Sequence, residues 1–429
     1  MTQPYFVQRS LRAVGLQSWV RASESVTGGA AEYARYASAL LLRGESNDAS
    51  IGTNPGLMNL NLGAPQWDSP IGGWRFSADR QGMGHPQGLQ ELRECVAEQT
   101  ASSNQVLVQA GASGALTTAL RAFVNPGESV VLFDPCSPMF RRSCGSIGAK
   151  VRWVPTWHEA GRTRFLFDTL ARAMNGARMI ILAEPNNPTG GTLLREDLEH
   201  LAWLAKRHDV LVVCDQSFGR FRYDLGGDAI NNVTEFDRRW ILLGGVSASL
   251  GLGSLRVGWA SAPAPLIHMM TRCAELAGAA VPTACQQAAL RAVQAEREQT
   301  LPMQEKFRSK RRYTLDRLQA MGLVGSEPNG GFACWVSVAE LCESSRKFAA
   351  ELLAEEQVLV GCGSDFSPNG EQFIRVSFAV EDGRLREGLT RLARFVRRKR
   401  GEPNVVEATV QVEKPAVLES DSTPQFSRV

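Results

Sequence analysis

The sequence predicts an α/β protein, with a large unit built on a mainly parallel, helix-covered sheet and a smaller α+β unit after it. Three observations carry that expectation. Short, uninterrupted apolar runs recur through the middle of the chain, at Val130–Phe133, Met179–Ala183, Val210–Cys214 and Trp240–Leu243. A strand that is apolar at every position suits burial on both faces, as in parallel sheets. Between the runs lie segments such as REDLEHLAWLAKRH at Arg195–His208, with helix-period apolar residues and charges on the opposite face. Finally, 429 residues exceed what one hydrophobic core usually holds, so a second unit is expected.

In chain order, residues 1–60 are expected to form an N-terminal arm and part of the smaller unit, and residues 61–295 the large unit. Residues 296–400 form the rest of the smaller unit: a charged helix over Pro302–Met321, strands in GGFACWVSV and FIRVSFAV, and a last helix over Asp382–Lys399. Residues 401–429 combine weak periodicity with scattered prolines and read as a disordered tail.

Composition narrows the function. A hydrophobic content of 44% and a charged content of 21% are those of an ordinary globular protein. The net charge of +3 is too small for a nucleic-acid binder, and the one dense basic run, Arg394–Arg400, ends a helix whose dipole it complements. No apolar stretch is long enough to span a bilayer, and MTQPYFVQRSLRAVG lacks the apolar core of a signal peptide, so no membrane partner is expected. The nine cysteines stand singly in apolar surroundings, with no metal-ligand spacing. A reducing cytoplasm and no metal are the expectations.

Three features carry chemistry. AEPNNPTGG, residues 183–191, follows a buried strand, at the carboxyl edge where open α/β sheets bind ligands, although Pro, Asn and Gly also make plain turns. Asp215 ends another buried strand, a place that suits a helix cap equally well. SASLGLGSLRVGWA, residues 247–260, is Gly-rich without matching a dinucleotide fingerprint.

The order of these features, an NPTG turn, a strand ending in Asp, then a serine-rich turn followed by Arg256, resembles the fold-type I pyridoxal-phosphate enzymes, and in particular the class I/II aminotransferases. NLGAP (61–65), GHPQGLQELRECVA (84–97), QAGASGAL (109–116), NPGESVVLFDPCSP (125–138), NGGF (329–332) and FIRVSFA (373–379) extend the likeness over residues 60–395. The resemblance implies pyridoxal 5'-phosphate as cofactor, an amino acid as substrate and a homodimer with the active site at the subunit interface. It assigns Asp215 to the pyridine nitrogen, whose proton an opposite charge stabilises, and Asn187 to the phenolic oxygen and the substrate. Gly111, Ala112 and Ser113, opening a helix, together with Ser247 and Arg256, suit the cofactor phosphate. Arg375 matches the arginine that grips the substrate α-carboxylate by a two-pronged bond, and Gly63 lends that carboxylate a backbone contact.

The sequence departs from the family pattern at its centre. Where the Schiff-base lysine is expected stands Ala248, and no lysine lies between Lys206 and Lys306. A methyl group forms no imine and shuttles no proton. Ser137 stands where an aromatic usually stacks on the ring, with Phe140 close enough in sequence to replace it. Phe218 replaces a tyrosine, Gly245 a phosphate-binding serine, and Met83 a tyrosine that reaches the partner's phosphate.

The expected function is therefore amino-group transfer from a free α-amino acid, in a lysine-lacking form that binds cofactor noncovalently and traps a cofactor–substrate adduct. An engineered lysine-to-alanine change is favoured, since drift after loss of catalysis would erode several of Asn187, Asp215, Arg256 and Arg375. The alternatives are a lyase, decarboxylase, oxidase or cyclase on the same fold, and a natural non-catalytic binding protein.

Overall fold

The computed structural model describes residues 56–61, 84–98, 102–223, 238–278, 280–296 and 300–402. Gly63, Met83, nearly all of the expected N-terminal arm and the tail from residue 403 lie outside the described residues.

A short first strand, β1 (Met58–Asn59), precedes the main sheet. That sheet contains β2 (Val106–Gln109), β3 (Ser129–Asp134), β4 (Lys150–Glu159), β5 (Arg162–Phe165), β6 (Met179–Ala183), β7 (Leu211–Asp215), β8 (Trp240–Gly245) and β9 (Gly258–Ser261), in the order β2-β9-β8-β7-β6-β3-β4-β5. Strands β8, β7, β6, β3 and β4 run parallel to their neighbours. Only β9, antiparallel to β2 and β8, and the edge hairpin partner β5 run the other way. The carboxyl ends of β2, β3, β6, β7 and β8 therefore share one edge.

The mainly parallel, helix-covered sheet is as expected, and its cores explain the apolar runs. Val130, Leu132, Val213, Ile241 and Leu243 enter one core, beneath the helices Gly111–Phe123 and Ala264–Leu276. Val131, Phe133, Val212, Cys214, Trp240 and Leu242 enter the core on the opposite face, beneath the helices Phe167–Met174 and Arg195–His208. Successive residues of one strand point to opposite faces, so two buried faces demand apolar residues throughout.

The C-terminal elements include β10 (Ala333–Ser337), β11 (Val358–Leu359), β12 (Gly361–Cys362) and β13 (Phe373–Ser377). They form an antiparallel sheet in the order β10-β13-β12, while β11 pairs in parallel with β1. The helices Thr300–Ala320 and Asp382–Arg400 lie with them. The basic end of the last helix is engaged inside the protein. Arg394 and Arg398 both pair with the buried Glu356, and Lys399 pairs with Glu351. The core of these elements also takes in Phe218 and Ala248, so it reaches the sheet edge described next.

Candidate active site

A pocket opens at the shared carboxyl edge. At one end, β2 passes straight into the helix Gly111–Phe123, and Gly111 takes a left-handed conformation (φ 78°). The first N–H groups of a helix have no partner within it and carry its positive dipole end. Gly111, Ala112 and Ser113 line the pocket there. A Cβ on Gly258 would overlap the Gly111 carbonyl carbon and the Ala112 nitrogen, so β9 approaches this turn only because residue 258 has no side chain. Arg256, just before β9, sends Nη2 to Ser113 Oγ (3.2 Å) and to the Ala110 carbonyl (3.3 Å). It makes no ion pair among the described residues, so a cation and a helix N-terminus converge on one spot without an anion. Such an arrangement suits an anion.

Asp215, the last residue of β7, lines the same pocket and is buried. Its Oδ1 accepts the Ser217 N–H (2.9 Å) and the Ser217 hydroxyl (2.5 Å), while Oδ2 has no partner among the described residues. Burial raises its pKa above the usual carboxylate range, against the opposing pull of the two Ser217 donors. Phe218 forms the adjoining wall and packs on Phe332 at 4.5 Å between ring centres. It offers no hydroxyl.

The NPTG turn leaves β6 and folds back on itself, with Gly190 N–H donating to the Asn186 carbonyl and Asn186 N–H to the Gly191 carbonyl, both at 2.8 Å. Asn187, at its tip, lines the pocket and accepts Arg375 Nη1 on Oδ1 at 3.0 Å. Arg375, on β13, is buried and has no ion pair among the described residues. Its Nη2 donates to the Asn61 carbonyl (3.1 Å) and side chain (2.8 Å), its face lies 4.7 Å from the Phe366 ring centre, and its buried Nε has no partner among the described residues. Burial lowers the pKa of its guanidinium to about 10, with Asp365 opposing. A buried guanidinium held by neutral oxygens is electrically uncompensated, and a carboxylate would compensate it.

Ser137, Ser247 and Ala248 complete the walls. Ala248 sits in the short helix Val246–Leu250, with its methyl buried. No amine lines the pocket among the described residues. Phe140 does not replace the missing ring-stacking aromatic. It is fully buried in the core under the helix layer, because a residue three places past Ser137 on the helix Pro138–Ser146 turns inward. Met139 faces the pocket instead.

One cavity thus gathers Gly111, Ala112, Ser113, Ser137, Asn187, Asp215, Phe218, Ser247, Ala248 and Arg256. Arg375 is outside its wall but is joined to it through Asn187. Gly63 lies outside the described residues. Met139 and Ser217 are the wall residues that the sequence does not single out. Ser217 follows Asp215 by two positions, an arrangement in which an aspartate side chain commonly accepts the backbone N–H two residues on, and that was the available signal.

The chain is similar to known proteins in sequence and in fold. The family model for aminotransferase class I and II matches residues 76–392. An aspartate aminotransferase of Pyrococcus abyssi is 28% identical over 361 residues, covering 80% of this chain and 92% of that protein. Aromatic-amino-acid aminotransferase 2 of Thermococcus litoralis is 28% identical over 362 residues, covering 80% and 93%. The crystal structure of an aspartate aminotransferase from Thermotoga maritima superposes with a TM-score of 0.72 at 26% identity, covering 85% of this chain and 96% of that one.

Proposed function

Because the chain belongs to the class I and II aminotransferase family, whose members depend on pyridoxal phosphate, we propose that its pocket serves amino-group transfer from a free α-amino acid, in a form lacking the lysine that would tether the cofactor. The observation that carries the reading is a single cavity with a phosphate-type anion site at one end and, in the same wall, a buried carboxylate with a free oxygen. When bound, pyridoxal phosphate supplies an aldehyde and an electron-withdrawing ring.

The residues then divide the work. The N–H groups at Gly111–Ser113, Ser247 and Arg256 hold the phosphate, and Asp215 holds a proton on the ring nitrogen. Asn187 donates to the phenolic oxygen from its amide nitrogen, since its Oδ1 already accepts from Arg375. Ser137, Met139 and Phe218 bound the ring, and Arg375, joined to the cavity through Asn187, receives the substrate carboxylate. Ala248 can neither form the covalent link nor carry a proton from the substrate Cα, so the chain binds its cofactor noncovalently and releases an amino-acid adduct slowly. The retention of Asn187, Asp215, Arg256 and Arg375 around one missing amine supports an engineered replacement at residue 248 over a natural binding protein.

The reading includes a large cofactor-carrying domain ending near residue 295, a smaller C-terminal domain and a homodimer. Among the described residues no helix is long and apolar enough to cross a membrane. The nine unpaired cysteines support a cytoplasmic location.

The test is Ala248→Lys. The variant is expected to acquire a borohydride-fixable mass increase with pyridoxal phosphate, and to form a keto acid from at least one amino acid of a panel. Release of ammonia or CO₂ instead would favour the lyase or decarboxylase reading. Absence of both the covalent link and turnover would refute the enzyme assignment.

A further inference from the structure

We propose that Ser217 is a positioning residue for Asp215, fixing one carboxylate oxygen with two donors so that the other meets the cofactor ring and the shared proton rests on the ring nitrogen. The inference rests on the reading of Asp215 as the partner of that nitrogen.

The geometry is specific to one oxygen. The backbone N–H and the hydroxyl of Ser217 both donate to Oδ1, at 2.9 and 2.5 Å, and these are the hydrogen bonds of the Asp215 carboxylate among the described residues. Donors on Oδ1 alone orient the carboxylate plane and leave the lone pairs of Oδ2 for the pocket. Charge-assisted bonds of this kind are short and about twice as strong as neutral ones.

Surrounding charges do not do this work. Cys214, the preceding residue on β7, carries a thiol that burial holds protonated. Glu184, just past the end of β6, is buried in an ion pair with Arg222 at 2.9 Å. Arg256 stands with the phosphate end of the pocket, bonded to Ser113 and Ala110. No cation pairs with Asp215 among the described residues, and burial alone would favour its protonated form. The two Ser217 donors are what favour the ionised carboxylate. One proton lies between Oδ2 and the ring nitrogen. Stabilising the carboxylate leaves that proton on nitrogen, and removing the hydroxyl shifts it toward oxygen.

The test loads the chain, as it is, with pyridoxal phosphate labelled with nitrogen-15 in the ring and follows the ring-nitrogen resonance across a pH series. The parent is expected to show a protonated nitrogen through neutral pH. In Ser217→Ala the midpoint for loss of that proton should fall by about one pH unit, the size of a lost hydrogen bond to a charged group. Ser217→Thr, which keeps both donors, should titrate as the parent does. Ser217→Cys, a weak donor of nearly the same shape, should fall between and serves if the alanine variant folds poorly. Asp215→Asn separates the two levels of inference. If it abolishes the protonated signal while Ser217→Ala and Ser217→Cys titrate as the parent does, the role of Ser217 is wrong. If Asp215→Asn itself changes nothing, the assignment of Asp215 to the ring nitrogen is wrong and the inference goes with it.

Discussion

Glycine at residue 245 illustrates how the neighbours of a residue can overrule its family pattern. A serine there would, by resemblance, add a phosphate ligand. In this fold a Cβ at Gly245 would stand 3.0 Å from both Gly258 Cα and the Val257 carbonyl oxygen, tighter than ordinary contact and against backbone on both counts. Gly245→Ser should therefore cost stability, about 1–3 kcal/mol as for other overpacked sites, and weaken cofactor binding. Denaturant unfolding and a cofactor titration would check it, and a gain in either would show that β9 yields. Gly258→Ala should be worse, because its Cβ would overlap the helix-initiating turn itself. Met139 makes a related point. No motif marks it, yet it occupies the wall next to Ser137 while Phe140 is spent on the core. Which of two neighbouring residues faces a pocket depends on how their helix is docked, and composition carries no record of that.

At the level of elements, the NPTG turn owes its shape to a residue three places before it. Glu184 accepts the Leu193 N–H on Oε2 (3.0 Å) and Arg222 Nη1 on Oε1 (2.9 Å), so one buried carboxylate closes the base of the turn and ties it to the segment after β7. Removing one partner of a buried pair typically costs about 3–5 kcal/mol. Glu184→Ala should lose stability in that range, and Glu184→Gln, which keeps an acceptor, clearly less. Thermal and denaturant unfolding of the two variants would decide, and equal losses would mean that shape matters here and charge does not. The central strands were legible because both faces are buried: β6 runs over Met179–Ala183, as its apolar run predicts. The hairpin β4–β5 was not. Lys150–Glu159 is largely exposed or half-buried at a sheet edge and mixes polar with apolar residues, so neither periodicity nor an apolar run announces it. Strands β1, β11 and β12 have two residues each, too few to carry any period. Arg375 and Asp215 could be picked out because each ends or occupies a strand within a motif, whereas the partnership of Asn61 with Arg375 joins residues 314 positions apart and exists only in the folded chain.

For the molecule as a whole, the cavity is a seam. Phe218 and Ala248 of the sheet edge share a core with Phe332, Ile374 and Val376 of the C-terminal elements, so a ligand that fills the cavity supports both sides at once. Binding to the folded state alone raises stability by mass action. The pH dependence of that gain follows from Asp215. Its carboxyl is raised by burial, so in the empty protein it contributes stability that is fully present below the ordinary carboxylate value and is lost as pH rises through the raised one. A ligand that presents a protonated nitrogen to Oδ2 recovers that loss, because the buried negative charge is then paired. The increase in melting temperature caused by pyridoxal phosphate should accordingly grow as pH rises from the acid range through the titration of Asp215 and then level off. In Asp215→Asn, which has no such titration, the part of the increase due to this residue should vanish and the profile should flatten across the same window. Scanning calorimetry of both proteins, with and without cofactor at each pH, measures the difference directly. Parallel profiles for the parent and Asp215→Asn would show that the carboxylate at the end of β7 does not sense the ligand at all.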